Sequence, residues 1–252
     1  MELKQSVIAI TGAGQGLGQT MATSLAQQGA HLALMDVNLE ALAQTKQLCE
    51  DLGVKAQIYQ VDVTDEEQVE SVFSDIVTDF GALNGLINNA GILRDGMLVK
   101  ARDGEISKMS LNQFNSVINV NLTGTFLCGR EAAVKMIETD SRGVIINISS
   151  VSRAGNMGQT NYAASKAAVA TMASVWGKEL ALYGIRAAAI APGVVETSMT
   201  AQMKPEARER LEHMVPVRRM ADPLEIAHTV RFILENEYVN GRVIEVDGGL
   251  VI

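Results

Sequence analysis

The sequence predicts an α/β fold, a doubly wound, seven-stranded parallel sheet flanked by helices. Three observations carry this. Short apolar runs alternate with longer stretches of helical composition along all 252 residues, the pattern of repeated βαβ units. The runs are continuously apolar, as strands buried on both faces are. A glycine cluster stands between the first run and the first helical stretch, where such sheets bind their ligands.

The elements succeed one another in chain order. Ser6–Thr11 reads as the first strand, and Leu17–Gln28 as the first helix. Leu32–Met35 is followed by helix Leu39–Leu52, and Ala56–Val61 by helix Glu66–Phe80. Leu83–Asn88, Val144–Ile148, Ile185–Ile190 and Val243–Val246 complete the strands. Two long helical segments, Asn112–Glu138 and Asn161–Tyr183, separate the later ones. The second is rich in Ala and apolar on most faces, so one face covers the sheet and the other is available to a second subunit. No repeat, linker or charge block divides the chain, which predicts one domain over residues 1–252.

Composition excludes several function classes. Lys and Arg total 21 against 29 Asp and Glu, a net charge of −8. A nucleic-acid binder needs a basic footprint, and an anionic membrane surface attracts one. Aromatic residues are 4%, too few for base-stacking platforms. Cys49 and Cys128 form no CxxC and have no nearby His pair, which predicts neither zinc site nor disulfide framework. The N-terminus shows no signal-peptide pattern and no apolar run reaches about 18 residues, so a cytoplasmic protein is expected.

Five motifs carry chemistry. The first, Thr11-Gly12-Ala13-Gly14-Gln15-Gly16-Leu17-Gly18, joins the first strand to the first helix. Glycines there permit a tight turn and let backbone N–H groups approach a pyrophosphate at the helix N-terminus. A plain glycine-rich turn is the bland alternative. The second is Asp36, ending the second strand. Its carboxylate suits the hydroxyls of an adenosine ribose and repels a 2′-phosphate. Gln15 occupies the glycine loop where a cation would serve NADP(H), and no Lys or Arg follows Asp36 directly. NAD(H) is therefore expected over NADP(H). Asp62-Val63 and Asn88-Asn89-Ala90-Gly91 lie at the carboxyl ends of the third and fourth strands and outline one side of a nucleotide crevice.

The fifth motif is Tyr162-Ala163-Ala164-Ser165-Lys166. Residues four apart share a helix face. A neighbouring ammonium is expected to lower the phenol's pKa and ready it for proton exchange. Just upstream, Asn147-Ile148-Ser149-Ser150 ends a strand, where a serine hydroxyl can hold a substrate carbonyl oxygen.

These residues together resemble the short-chain dehydrogenase/reductase family over essentially the whole chain. The marks are TGAGQGLG at 11–18, DV at 62–63, NNAG at 88–91, Asn121 within Asn119–Leu122, NISS at 147–150, YAASK at 162–166, Pro192-Gly193 with Thr197, and VDGG at 246–249. GQTNYAASKAAV and APGVVETSM make it most similar to the 3-oxoacyl-[acyl-carrier-protein] reductases. The resemblance implies a Rossmann-type fold and a catalytic tetrad of Asn121, Ser150, Tyr162 and Lys166. Ser150 matches along the strand, whereas the usual spacing to the tyrosine selects Ser149. It implies cofactor contacts from Gly12, Gln15, Gly16, Leu17 and Gly18, from Asp36, Asp62 and Val63, and from Asn89, Ala90 and Gly91. Tyr162, Lys166, Pro192, Gly193, Val195 and Thr197 complete that set.

The implied reaction is reduction of a ketone or oxidation of a secondary alcohol. An acyl thioester is the leading substrate class, a sugar or polyol the second, and a non-catalytic dinucleotide-binding regulator the third. The resemblance also implies a homotetramer and a lid over about 197–215. Two features depart from the family. Segment 97–109 is long and is expected either to line the substrate entrance or to be a solvated insertion. The positions where carrier-docking reductases are basic hold Ser141, beside Arg142, and Tyr183, which weakens an acidic carrier protein as partner.

Overall fold

The computed structural model describes residues 1–197, 200 and 205–252. In chain order, β1 (Val7–Thr11), α1 (Gly16–Ala26), β2 (His31–Asp36), α2 (Leu39–Glu50), β3 (Ala56–Gln60), α3 (Glu66–Phe80) and β4 (Gly85–Asn88) form the first half. A hairpin follows, β5 (Val99–Arg102) and β6 (Glu105–Lys108), then α4 (Leu111–Ile118) and α5 (Thr125–Glu138). The rest is β7 (Val144–Ile148), α6 (Thr160–Glu179) and β8 (Arg186–Pro192), then α7 (Pro205–Met214), α8 (Pro223–Glu235) and β9 (Arg242–Val246).

Seven strands make one parallel sheet in the order β3-β2-β1-β4-β7-β8-β9. Winding reverses between β1 and β4, and a ligand crevice opens beyond the carboxyl ends of the strands at such a switch point. Side chains of β1 alternate between two buried layers. Ile8 and Ile10 pack with Met21 and Leu25 of α1, Leu42 of α2, and Ile226 and Val230 of α8. Val7 and Ala9 pack with Phe73 of α3, Leu127 of α5 and Trp176 of α6. Both faces are covered, which is why the central strands read as apolar runs. Gly129 lets α5 and α6 approach, since a Cβ there would sit 2.5 Å from the Trp176 ring.

Helix starts are set by local chemistry. Asn38, Asp65 and Ser110 each accept a backbone N–H and cap α2, α3 and α4. Asp222 and Glu225 form a reciprocal capping box on α8, with Pro223 in the first turn. The start of α1 differs, because Gln15 gives it no side-chain cap.

The first long helical segment is interrupted. Between α4 and α5, Asn119–Gly124 forms a π-helical turn. Segment 97–109 contains the β5–β6 hairpin, exposed at all eight strand positions. Asp103 and Gly104 turn it with φ of 52° and 82°, the paired positive values of a two-residue hairpin loop. Among the described residues, no helix is long and apolar enough to cross a membrane.

Candidate active site

Beyond the carboxyl ends of β1 and β4 the glycine loop and the NNAG segment are tied together. Thr11 Oγ1 accepts the Asn89 and Ala90 backbone N–H groups, both at 3.0 Å. The Asn89 side-chain amide returns two bonds at 3.1 Å, to the carbonyls of Thr11 and Gly12. Thr11 belongs to the first motif, yet its bracing role shows only in the fold. Gly12 has φ +65°, and a Cβ on Gly18 would stand 2.0 Å from the Gly12 carbonyl oxygen. No side chain fits there, so bare backbone lines the loop. With no side chain capping α1, its first N–H groups are available to an anion. This is a cradle that fits a pyrophosphate.

Asp36 closes the far side of the loop. Its Oδ2 accepts Gly14 N–H at 3.0 Å and its Oδ1 accepts Asn38 N–H at 3.1 Å. The carboxylate is thereby fixed at the end of β2 with further acceptor capacity on each oxygen. Gln15 and Leu17 flank the cradle, Gln15 exposed and Leu17 half-buried. Val63 is buried against Gly124. Asp62 is exposed, and its Oδ1 accepts from both the backbone and hydroxyl of Thr64, at 2.9 and 2.8 Å.

A second cluster lies at the carboxyl end of β7. Lys166 is buried, and its Nζ donates to the Ile148 carbonyl at 2.7 Å and lies 5.6 Å from the Tyr162 ring centre. Burial pushes the ammonium down to about 8. The Tyr162 phenol moves the other way, raised by burial most of all. A hydrogen bond with the Ser150 side chain opposes this, and the nearby Asp95 carboxylate adds to it. The lowering expected from the sequence is thus not found. The reason is geometric: the ammonium is turned onto Ile148, and desolvation dominates the phenol.

The two serines separate clearly. The Ser149 hydroxyl is buried and spent on the Lys166 carbonyl at 2.7 Å. Ser150 is half-buried, pairs with the Tyr162 side chain, and accepts Ser152 N–H at 3.1 Å.

Asn121 sits in the π turn. Its amide accepts Ile92 N–H at 2.8 Å and donates to the Ile92 carbonyl at 3.1 Å and the Ser165 hydroxyl at 3.3 Å. It meets Lys166 around Gly91, where a built Cβ would lie 3.3 Å from Asn121 Oδ1 and 3.6 Å from Lys166 Nζ. Below this cluster, Asn88 donates to Asn147 Oδ1 at 3.0 Å, and Asn147 donates to the Val169 carbonyl at 3.1 Å. Sequence motifs held both asparagines but gave no sign that they pair.

The third wall follows β8. Pro192 registers with Val246, and Gly193 N–H bonds the Val246 carbonyl at 2.9 Å. A Cβ on Gly193 would stand 2.7 Å from Asp247 Cα. Val195 bridges to Ala221, and Thr197 N–H donates to Thr200 Oγ1 at 2.8 Å. The expected lid, 197–215, is described at 197, 200 and 205–215, with α7 as its helix. Residues 198, 199 and 201–204 lie outside the described residues. Among the described residues, no group of three or more His, Cys, Asp or Glu is placed to hold a metal ion.

Known proteins are similar to this chain over its whole length. The family model described as enoyl-(acyl carrier protein) reductase matches residues 12–251. A 3-oxoacyl-[acyl-carrier-protein] reductase from Thermotoga maritima is 40% identical over 100% of both chains. The chain belongs to the short-chain dehydrogenase/reductase family. Further members include a (3R)-3-hydroxyacyl-CoA dehydrogenase from Rattus norvegicus, 34% identical over 99% of this chain and 98% of that one. The crystal structure of an NAD⁺-bound xylitol dehydrogenase superposes with a TM-score of 0.88 at 29% identity, covering 99% of this chain and 100% of that one. As a short-chain dehydrogenase/reductase, this protein is a nicotinamide-dependent oxidoreductase acting on CH–OH or ketone groups.

Proposed function

We propose that the enzyme interconverts 3-oxoacyl and 3-hydroxyacyl thioesters, with NAD(H) preferred to NADP(H), through Asn121, Ser150, Tyr162 and Lys166. The observation that carries the chemistry is that the half-buried Ser150, not the buried Ser149, acts on the Tyr162 phenol, with Lys166 buried one helical turn further on. Two hydroxyls at one point can hold a carbonyl oxygen as it becomes an alkoxide. Burial keeps the free Tyr162 phenol protonated at neutral pH, the form that donates to that oxygen. Lys166 steadies the phenolate left behind, and Asn121 fixes the segment at Ile92 beside it. The bound dinucleotide supplies the hydride chemistry at the carbonyl carbon. The Ser149 hydroxyl, engaged with the Lys166 carbonyl, supports the helix rather than the substrate.

Residues 12–18, Asp62-Val63, 89–91 and the wall from Pro192 to Thr197 would hold the dinucleotide. Asp36 supports NAD(H), because its carboxylate is fixed by two backbone N–H groups and would face a 2′-phosphate with like charge. The NAD⁺-bound relative agrees with this. Replacing Asp36 with Ala and adding a nearby Arg would turn preference toward NADP(H). A higher wild-type kcat/KM with NADPH would refute the assignment.

The thioester class rests on the names of the relatives. A coenzyme A thioester is favoured over a carrier protein. Ser141, Arg142 and Tyr183 line one depression of about 500 Å³, where Asp140 offsets the charge of Arg142. A polyol is the second reading, supported by the xylitol dehydrogenase likeness. Acetoacetyl-CoA with NADH, run beside polyols with NAD⁺, separates the two. Turnover of polyols alone would overturn the first. Exposed Phe126, Ile137, Val175 and Leu182 on α5, α6 and the following turn, with Val251 at the C-terminus, support a homotetramer. Scattering should then give about four times the 27.0 kDa chain mass.

A further inference from the structure

A short segment before the hairpin, Arg94 to Gly96, is fastened to the start of α6. Gln113 of α4 donates to the Arg94 and Asp95 carbonyls at 3.0 and 3.1 Å. Asn161, fully buried, donates to the Arg94 carbonyl at 3.0 Å and accepts the Tyr162 N–H at 2.8 Å. Gly96 N–H bonds the Gly158 carbonyl at 2.8 Å, and a Cβ there would stand 2.7 Å from Gln113 Nε2. The segment is thus held to the residues that deliver Tyr162. Asp95 rides on it, and its Oδ2 accepts Gln159 Nε2 at 3.0 Å, just ahead of the tyrosine.

Asp95 is exposed, and an exposed aspartate carries a full negative charge at neutral pH. Its side-chain partner is a neutral amide. Among the described residues no ion pair involves it. The nearby cations are turned elsewhere: Arg94 onto the Leu93 carbonyl, Arg153 onto Glu245 and Lys166 onto the Ile148 carbonyl. The charge is felt in the site, where burial raises the Tyr162 phenol most and Asp95 adds to that rise. A substrate whose carbonyl oxygen meets Tyr162 therefore arrives beside an unneutralised carboxylate.

We propose that Asp95 is a specificity-determining residue that admits substrates uncharged next to the reacting carbonyl and turns away the free 3-oxo acid. A 3-oxoacyl thioester or ester is neutral at that position, whereas the acid carries a carboxylate two carbons from the reacting one. This selection rests on the proposed function, in which Ser150 and Tyr162 receive the carbonyl oxygen.

Acetoacetate and methyl acetoacetate differ chiefly by this charge. The acid-to-ester ratio of kcat/KM with NADH, measured on wild type, Asp95→Asn and Asp95→Glu, tests the selection. The ratio cancels any effect on folding, cofactor binding or Tyr162 that both substrates share. Wild type should favour the ester, and Asp95→Asn should raise the ratio about tenfold, the repulsion of one nearby charge. Asp95→Glu restores the charge and should restore the wild-type ratio. Salt raised from about 0.01 M to about 1 M shortens the screening length from about 30 to about 3 Å, so it should raise the ratio in wild type far more than in Asp95→Asn. A ratio unchanged in Asp95→Asn, or a wild type that reduces acid and ester equally well, overturns the selection and leaves the ketone reaction standing. Turnover of acetoacetyl-CoA with rejection of the neutral ester also overturns it, because the discrimination is then not one of charge. Reduction of neither methyl acetoacetate nor acetoacetyl-CoA would overturn the proposed function, and the selection with it.

Discussion

Replacing Lys166 with Met removes a buried ammonium and keeps an unbranched chain. Burial lowers this group from 10.5 to about 8. That gap costs the folded state about 3 kcal/mol at neutral pH, because the unfolded chain holds the same proton in water. The folded value is depressed, so between about pH 8 and 10.5 the unfolded chain binds more protons. Stability therefore rises with pH across that window. The penalty is complete below the folded value and gone above the unfolded one. From about pH 7 to about pH 9.5 wild type should gain about 2 kcal/mol relative to Lys166→Met. The variant also leaves the Ile148 carbonyl without its 2.7 Å donor, a cost of about 1–3 kcal/mol that does not change with pH. The trend with pH is thus the test. Urea denaturation of both proteins without dinucleotide, at matched chain concentration, measures it. A stability difference constant across that range would refute the buried, destabilised ammonium.

Three further outcomes are expected. Ser150→Ala should lower kcat on a ketone substrate about 100-fold or more, the loss of one oxyanion donor, whereas Ser149→Ala should chiefly lower thermal stability; steady-state kinetics and melting curves would show the reverse pattern if Ser149 held the substrate. Gly18→Ala forces a Cβ against the Gly12 carbonyl and should cost about 1–3 kcal/mol with loss of NADH affinity; an unchanged dissociation constant would contradict the bare-backbone cradle. Trimming the hairpin from Val99 to Lys108 to a short turn should leave NADH affinity intact, since all eight strand residues are exposed, and a change in NADH binding would show that the hairpin supports the crevice.

The sheet was legible because its central strands are buried on both faces, while the edge strands β3 and β9 are more open. Nothing in the burial of Ile8, Leu32 or Ile146 competes with the simple reading of an apolar run. The glycine loop was legible for a related reason: close approach of backbone leaves glycine as the residue that fits. Direction was the property that sequence could not supply. YAASK places Tyr162 and Lys166 on one helix face, but whether the ammonium meets the phenol or a carbonyl depends on β7, 18 residues earlier in the Lys166–Ile148 bond. The serine is a similar case. Counting along the chain favours Ser149 and matching the strand favours Ser150; strand pleating then buries one and leaves the other half-open. The π turn escaped the sequence reading because one helical segment was drawn straight through Asn119–Gly124, although Asn, Thr and Gly are poor helix formers.

The π turn gives the long segment from Leu111 to Glu138 two allegiances. Upstream of it α4 lies on α6, and downstream α5 lies on α3. Each residue added to a helix rotates the downstream turns by about 100°, so the wider turn acts as a phase adjuster between two otherwise incompatible faces. Removing one residue from Asn119–Gly124 would relax the backbone into a plain α-helix and swing the apolar stripe of α5 off the sheet. The length of this segment is therefore as strongly determined as any side chain in the site.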